Sequence, residues 1–232
     1  MKILNEFGIA PTRNHTAAGY DFYVPNIKTN VEDSDFILEA FSKSYKKSID
    51  ELKTLIDRLV LQVTAIYGED FIDNNVMNVL LLYLCVDSST LKNAEDPIDV
   101  FVDKYLIFDA NKKPGVKLQV LDHICINSGI HTCLKPGTAG IFFNKSGRGL
   151  KGFDVRACVV DEDYTGFVHL SLSYTKNDEG DGIFYVGDKI TQMVIVKVGQ
   201  EKVEEVDKDM YETLMSGSKR GSKGFGSSDE KH

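Results

Sequence analysis

Three short stretches combine residue types that can do chemistry. Asp161-Glu162-Asp163-Tyr164 sets carboxylates beside an aromatic ring. An aspartate serves as a general base when it lies within hydrogen-bond reach of the proton it takes. Alone, the same Asp-x-Asp cluster reads as a turn. Lys145-Ser146-Gly147 joins a cation to a glycine-bearing turn. Backbone N–H groups in such a turn can approach phosphate oxygens, and its plainer reading is a solvated loop. Near the C-terminus Phe225 stands between Gly224 and Gly226, five residues after Arg220. A solubilising tail has no need of an aromatic in that place. His131 and Cys133 could share a strand face, but the second ligand pair of a zinc signature is missing. Cys85, Cys125, Cys133 and Cys158 form no CxxC pair and read as small buried hydrophobes in a reducing compartment.

The elements that must position these residues fall into three kinds of text. Residues 1–32 are short β-like pieces around Gly19-Tyr20-Asp21. Residues 33–108 read as three or four helices. Ser48-Ile49-Asp50-Glu51 matches a capping box. Ile49, Leu52, Leu55, Leu59, Val63 and Ile66 then recur at helical spacing up to a stop at Gly68. A second helix is predicted over Asn75–Leu84, and a shorter one near Pro97. From residue 109 the period changes. Strands are predicted at Val116–Leu121, His123–Asn127, Gly140–Asn144, Ala157–Val160, Gly166–Tyr174 and Lys189–Val198, with turns at Ser128-Gly129, Lys135-Pro136-Gly137, Asn177–Gly180 and Gly187-Asp188. Short strands divided by regular turn signals argue an all-β barrel or sandwich. Residues 216–232 are rich in Gly, Ser and Lys and read as a flexible tail.

Composition bounds the function classes. The chain has 232 residues, 42 % hydrophobic and 27 % charged, as an ordinary globular protein does. Its formal charge of −8 argues against binding a nucleic-acid polymer, which needs many phosphates neutralised by Lys and Arg. A small anion remains suitable where cations gather locally. The opening residues lack the apolar core of a signal peptide, and the most apolar stretch, Val76–Val86, is too short to span a bilayer. A soluble cytoplasmic protein without membrane contact is expected.

Five patterns occur in a fixed order: Ala18-Gly19-Tyr20-Asp21; Lys145-Ser146-Gly147; Val160-Asp161-Glu162-Asp163-Tyr164-Thr165-Gly166; Gly187-Asp188-Lys189-Ile190-Thr191-Gln192; and Arg220-Gly221-Ser222-Lys223-Gly224-Phe225-Gly226-Ser227-Ser228. Together they resemble the five motifs of the trimeric dUTPase family. The resemblance implies a mainly β fold, a β-barrel of the β-clip or jelly-roll type. Its first part would be residues 1–32 and its remainder 109–215, with 33–108 as a helical insertion and 216–232 as a flexible C-terminal arm. It implies hydrolysis of dUTP to dUMP and pyrophosphate. Asp161, on a hairpin of the barrel, would be the general base, and Tyr164 would pack flat against the deoxyribose. Lys145, Ser146 and Gly147 would touch the phosphates. Gln192, as a buried amide, would bridge to them, and Asp21 would be a structural motif residue. Arg220 would contact the γ-phosphate and Phe225 would stack on the base, with Gly226, Ser227 and Ser228 as further donors. Mg²⁺ would be held by triphosphate oxygens and water, with no direct protein ligand. A homotrimer would share each site among three subunits.

The sequence departs from the family pattern in several places. Lys145 stands where Arg is usual and keeps the charge without the bidentate fork. The stretch from Ser146 to Asp161, where the base-reading hairpin is expected, is shortened. Val155, Cys158, Thr165 and Phe167 replace residue types common in the family. These changes touch uracil specificity more than triphosphate binding. Another deoxynucleoside triphosphate as substrate, or a nucleotide-responsive regulatory protein acting through 33–108, are the alternatives. That segment could also bind a protein partner. The related dCTP deaminases need a Glu where this chain has Ser171, so deamination is not expected.

Overall fold

In the computed structural model, residues 1–28, 34–176, 182–199 and 201–218 are described. Chain contacts divide the protein into two units, Met1–Val198 and Gly199–His232.

The first unit opens with two short strands, β1 (Lys2–Asn5) and β2 (Tyr20–Tyr23), and then turns helical. Helix α1 spans Asp35–Tyr45 and α2 spans Ile49–Tyr67. At the start of α2 the Ser48 hydroxyl accepts from the Glu51 N–H at 3.1 Å, and the Ser48 N–H donates to the Glu51 carboxylate at 2.6 Å. The capping box thus satisfies two groups that a helix start leaves open. Leu52, Ile56, Leu59 and Val63 form the buried stripe of α2, whereas Ile49 and Ile66, expected on it, are exposed. Helix α3 (Val76–Cys85) is apolar almost all round and correspondingly buried. The one polar side chain on its buried face, Asn78, accepts from the Ile27 N–H at 2.7 Å and donates to the Ile27 carbonyl at 2.9 Å. Strand β3 (Val86–Asp87) and the short helices α4 (Ser89–Lys92) and α5 (Pro97–Val100) follow.

The remaining strands are β4 (Leu106–Phe108), β5 (Pro114–Lys117), β6 (His123–Cys133), β7 (Thr138–Asn144), β8 (Phe153–Ala157), β9 (Val159–Val160), β10 (Phe167–Tyr174), β11 (Ile183–Tyr185) and β12 (Lys189–Lys197). Helix α6 (Ser146–Leu150) lies between β7 and β8. Among the described residues all strand pairings are antiparallel, in three sheets: β1-β6-β10-β8 with β3 also on β6, β11-β5-β4, and β2-β12-β7-β9. The mainly β class is therefore met by separate sheets around a common core, not by one continuously hydrogen-bonded barrel. Helix residues such as Leu52, Leu59 and Val79 belong to the same apolar cluster as Ile124, Leu170 and Ile190 of the strands.

Several local expectations change. The predicted turn Ser128-Gly129 lies inside β6, where Gly129 takes a positive φ of 70° and the Ser128 hydroxyl donates to the Val168 carbonyl. The expected Asn177–Gly180 turn lies outside the described residues. Of the four cysteines, all free, only Cys85 is buried; Cys125, Cys133 and Cys158 are exposed. The alternating face of a strand puts a residue outside as readily as inside, and a neighbouring apolar residue does not decide which. Among the described residues no helix is long and apolar enough to cross a membrane.

In the second unit, helix α7 (Lys208–Met215) starts at Asp207, whose carboxylate accepts from the Met210 N–H at 2.8 Å. The last predicted strand ends at Val198, and this helix falls between it and the tail that begins at residue 216, where no element is predicted. Arg220, Phe225, Gly226, Ser227 and Ser228 lie outside the described residues.

Candidate active site

The sheet β2-β12-β7-β9 carries four of the five patterns. In its register Gln192 of β12 lies opposite Asp21 of β2 on one side and Phe143 of β7 on the other. Strand β9 pairs with the far side of β7 and delivers the chain to Asp161. Gly19 makes the tight approach of β2 possible: a Cβ there would stand 3.0 Å from the Met193 carbonyl oxygen.

At one end of this sheet Asp21 forms ion pairs with two lysines. Its carboxylate contacts the Lys145 ammonium, and the Lys189 ammonium at 3.0 Å. The Asp21 side chain is only 15 % exposed. Burial alone would raise its pKa, but the hydrogen bonds and charges of Lys145 and Lys189 outweigh it and hold the carboxyl below its ordinary value. Lys189 is pushed up, chiefly by its hydrogen bond to Asp21. The Gln192 amide donates to the Asn144 carbonyl at 3.0 Å, next in the chain to Lys145. It is half-buried rather than buried as expected, because its side chain reaches toward the start of the Lys145–Gly147 segment and not the core.

Ser146 and Gly147 open α6, and both are exposed. This short helix is fastened from below by Arg148. The guanidinium donates to the Ile183 carbonyl at 2.8 Å, the Asp188 carboxylate at 2.7 Å and the Lys189 carbonyl at 3.3 Å. Asp188 also accepts from the Tyr185 N–H at 3.0 Å. The second and fourth patterns are therefore joined through one arginine that sequence reading passed over. The guanidinium also lies over the Phe153 ring, 5.6 Å from its centroid.

Asp161 and Tyr164 do not sit on a hairpin. Strand β9 belongs to the sheet of β7 and β12, while β10 belongs to the sheet of β6 and β8. Residues 161–166 therefore cross from one sheet to the other. The base-reading hairpin expected between Ser146 and Asp161 is likewise absent: α6 occupies its start, and β8 and β9 pair in different sheets. The stretch forms α6, β8 and β9 instead, and β8 pairs with β10 while β9 pairs with β7. Asn144 spans part of it, donating to Asp154 at 2.9 Å and accepting from the Val155 N–H at 2.8 Å.

The crossing loop is held at both ends. The Glu162 carboxylate accepts from the Gly137 N–H. At the other end His131 Nδ1 meets the Thr165 carbonyl at 2.9 Å, and its Nε2 lies 3.0 Å from the Glu6 carboxylate. Asp161 is exposed, and Tyr164 is 42 % exposed with its hydroxyl donating to the Phe167 carbonyl at 2.9 Å. The Tyr164 ring lies over Gly166, where a Cβ would fall 2.4 Å from the Tyr164 hydroxyl oxygen. Asp161, Tyr164 and His169 line a cavity of about 200 Å³ whose other walls are apolar, among them Phe142, Val159 and Val168. A mostly apolar cleft with a few convergent polar groups is the usual form of a small-molecule site. Among the described residues no three His, Cys, Asp or Glu side chains gather to hold a metal ion.

Comparison with known proteins gives the family of the chain. A family model for dUTPase matches residues 105–229, more than half of the chain. A deoxyuridine 5'-triphosphate nucleotidohydrolase of Solanum lycopersicum is 31 % identical over 121 residues, covering 52 % of this chain and 67 % of that protein. One of Rabbitpox virus (strain Utrecht) is 28 % identical over 135 residues, covering 57 % and 81 %. A Staphylococcus bacteriophage 80alpha dUTPase solved with dUpNHpp has a similar fold, with a TM-score of 0.52 at 14 % identity over 98 % of this chain and 96 % of that one. The chain belongs to the dUTPase family.

Proposed function

We propose that the protein hydrolyses dUTP to dUMP and pyrophosphate. The observation that supports this best is the convergence of Asp21, Lys145, Lys189 and Gln192 at one end of the sheet that also leads to Asp161. Lys145, with Ser146 and Gly147 at the exposed start of α6, receives the triphosphate. Asp161 takes a proton from water as the water oxygen bonds to the α-phosphorus. The bond from that phosphorus to the bridging oxygen breaks, and pyrophosphate leaves. Tyr164 packs against the deoxyribose and excludes a 2'-hydroxyl.

Mg²⁺ would be held by triphosphate oxygens and water, and would offset phosphate charge there. Residues 216–232 act as an arm, with Arg220, Gly226, Ser227 and Ser228 on the phosphates and Phe225 on the base. Base stacking on an aromatic contributes roughly 1–3 kcal/mol. The working assembly is a homotrimer, and residues 33–108 are an insertion in the barrel domain.

The test is product analysis after incubation with Mg²⁺ and, separately, dUTP, dCTP, dTTP and UTP. Pyrophosphate and dUMP from dUTP alone is the expected result. Comparable turnover of dCTP or dTTP would assign a broader base specificity, the alternative supported by the missing hairpin between Ser146 and Asp161. Turnover of none of the four would overturn the proposal.

A further inference from the structure

The third pattern is followed by a histidine with an unusual setting. His169 lies on β10 and lines two cavities. One is the site with Asp161 and Tyr164; the other, about 390 Å³, lies between Tyr164 and helix α1. Its Nδ1 is 2.9 Å from the Phe167 carbonyl. A carbonyl can only accept, so Nδ1 carries the proton. The same carbonyl accepts from the Tyr164 hydroxyl, which ties the two side chains to one backbone atom. Burial lowers the pKa of His169 and so favours the neutral ring. Nε2 is then a bare acceptor, and it has no hydrogen-bond partner among the described residues.

An acceptor fixed in one tautomer on the wall of the cavity can take a hydrogen bond from a ligand donor in place of water. The proposed reading places the deoxyribose against Tyr164, and the inference rests on that reading. A 2'-deoxynucleoside triphosphate has one free sugar hydroxyl, at the 3' position. We infer that His169 is a specificity-determining residue whose Nε2 accepts a hydrogen bond from the 3'-hydroxyl of the bound deoxynucleotide. Tyr164 then reads the face of the sugar and His169 its one hydroxyl, both positioned by the Phe167 carbonyl.

Steady-state kinetics of wild type, H169A and H169Q on dUTP and on 2',3'-dideoxyuridine triphosphate tests this. H169A is expected to raise KM for dUTP about tenfold with little change in kcat, the scale of one hydrogen bond. It should leave KM for the dideoxy substrate unchanged, and H169Q, which keeps an acceptor, should recover part of the loss. An equal KM rise on both substrates, or none on dUTP, would overturn the inference. Calorimetric binding of a non-hydrolysable dUTP analogue and its 3'-deoxy counterpart makes the same comparison without turnover. An inactive wild type would therefore count against the proposed activity, and His169 would still be decided by binding.

Discussion

The Asp21 carboxylate and the Lys145 ammonium, 124 positions apart in sequence, form an ion pair where β2 and β7 flank β12. The Lys145 ammonium is thus held in place by a carboxylate from a distant part of the chain. Lys189 reaches the same carboxylate from β12. Two ammonium groups share one aspartate, so the three side chains together carry one net positive charge.

Replacing Asp21 by Asn removes the partner of both lysines. Urea unfolding at neutral pH should show a loss of roughly 1–3 kcal/mol. The pH dependence has a definite sign. The folded pKa of Asp21 lies below its ordinary value of 3.8, so its contribution is complete above that value and is lost as pH falls through the folded pKa. Wild type should therefore lose more stability than D21N between pH 5 and the most acidic conditions, on the order of the neutral-pH difference. Parallel stability curves would show that the pair contributes nothing.

Arg148 holds α6 through three acceptors on β11, β12 and their turn. Lys in its place keeps the charge but not the planar fork. R148K should raise KM for the triphosphate about tenfold while Tm falls only a few degrees. An unchanged KM would mean that Lys145, Ser146 and Gly147 hold their places without the clamp.

For Asp161 the expected result is a rate effect without a fold effect. D161N should lower kcat by about 10²-fold or more, the scale of general-base loss. Circular dichroism and Tm should match wild type, because the side chain is exposed. A variant as active as wild type would remove Asp161 from the base role.

Asn78 tests the tie between the helices and the strands. Asn78→Leu leaves both the N–H and the carbonyl of Ile27 without their side-chain partner. Each unsatisfied buried group costs about 1–3 kcal/mol, so thermal unfolding should shift down by at least several degrees. Unaltered stability would mean that Ile27 finds other partners.

Ending the chain after Ser218 removes the stretch from Arg220 to Ser228. The shortened protein should keep the Tm of wild type and lose most of its kcat, since closure over a nucleotide excludes water from the reaction. Full activity would remove the arm from the site.

What the sequence made legible was local. The capping box at Ser48 and Glu51 formed because each residue satisfies the other's backbone within one turn. The strand β10 ran nearly as predicted, from Phe167 to Tyr174. Pairing between sheets was not legible. Nothing in Asp161–Gly166 distinguishes a turn within one sheet from a crossing between two, because both need the same polar, glycine-ended text. Strands β3, β4 and β11 were missed since two or three residues carry no period. His169 was passed over because one histidine on a strand shows neither its tautomer nor the cavities beside it.

Val86 of β3 pairs with Ile124 of β6, on the same side of β6 that β1 occupies farther along. The segment between β2 and β4 therefore covers a strand edge that would otherwise present open N–H and carbonyl groups. Any excursion that peels β3 and its helices away uncovers that edge at once. Amide protons of α3 and of residues 123–124 should then exchange with solvent in one event. The same excursion would present a template on which strands of other molecules could add.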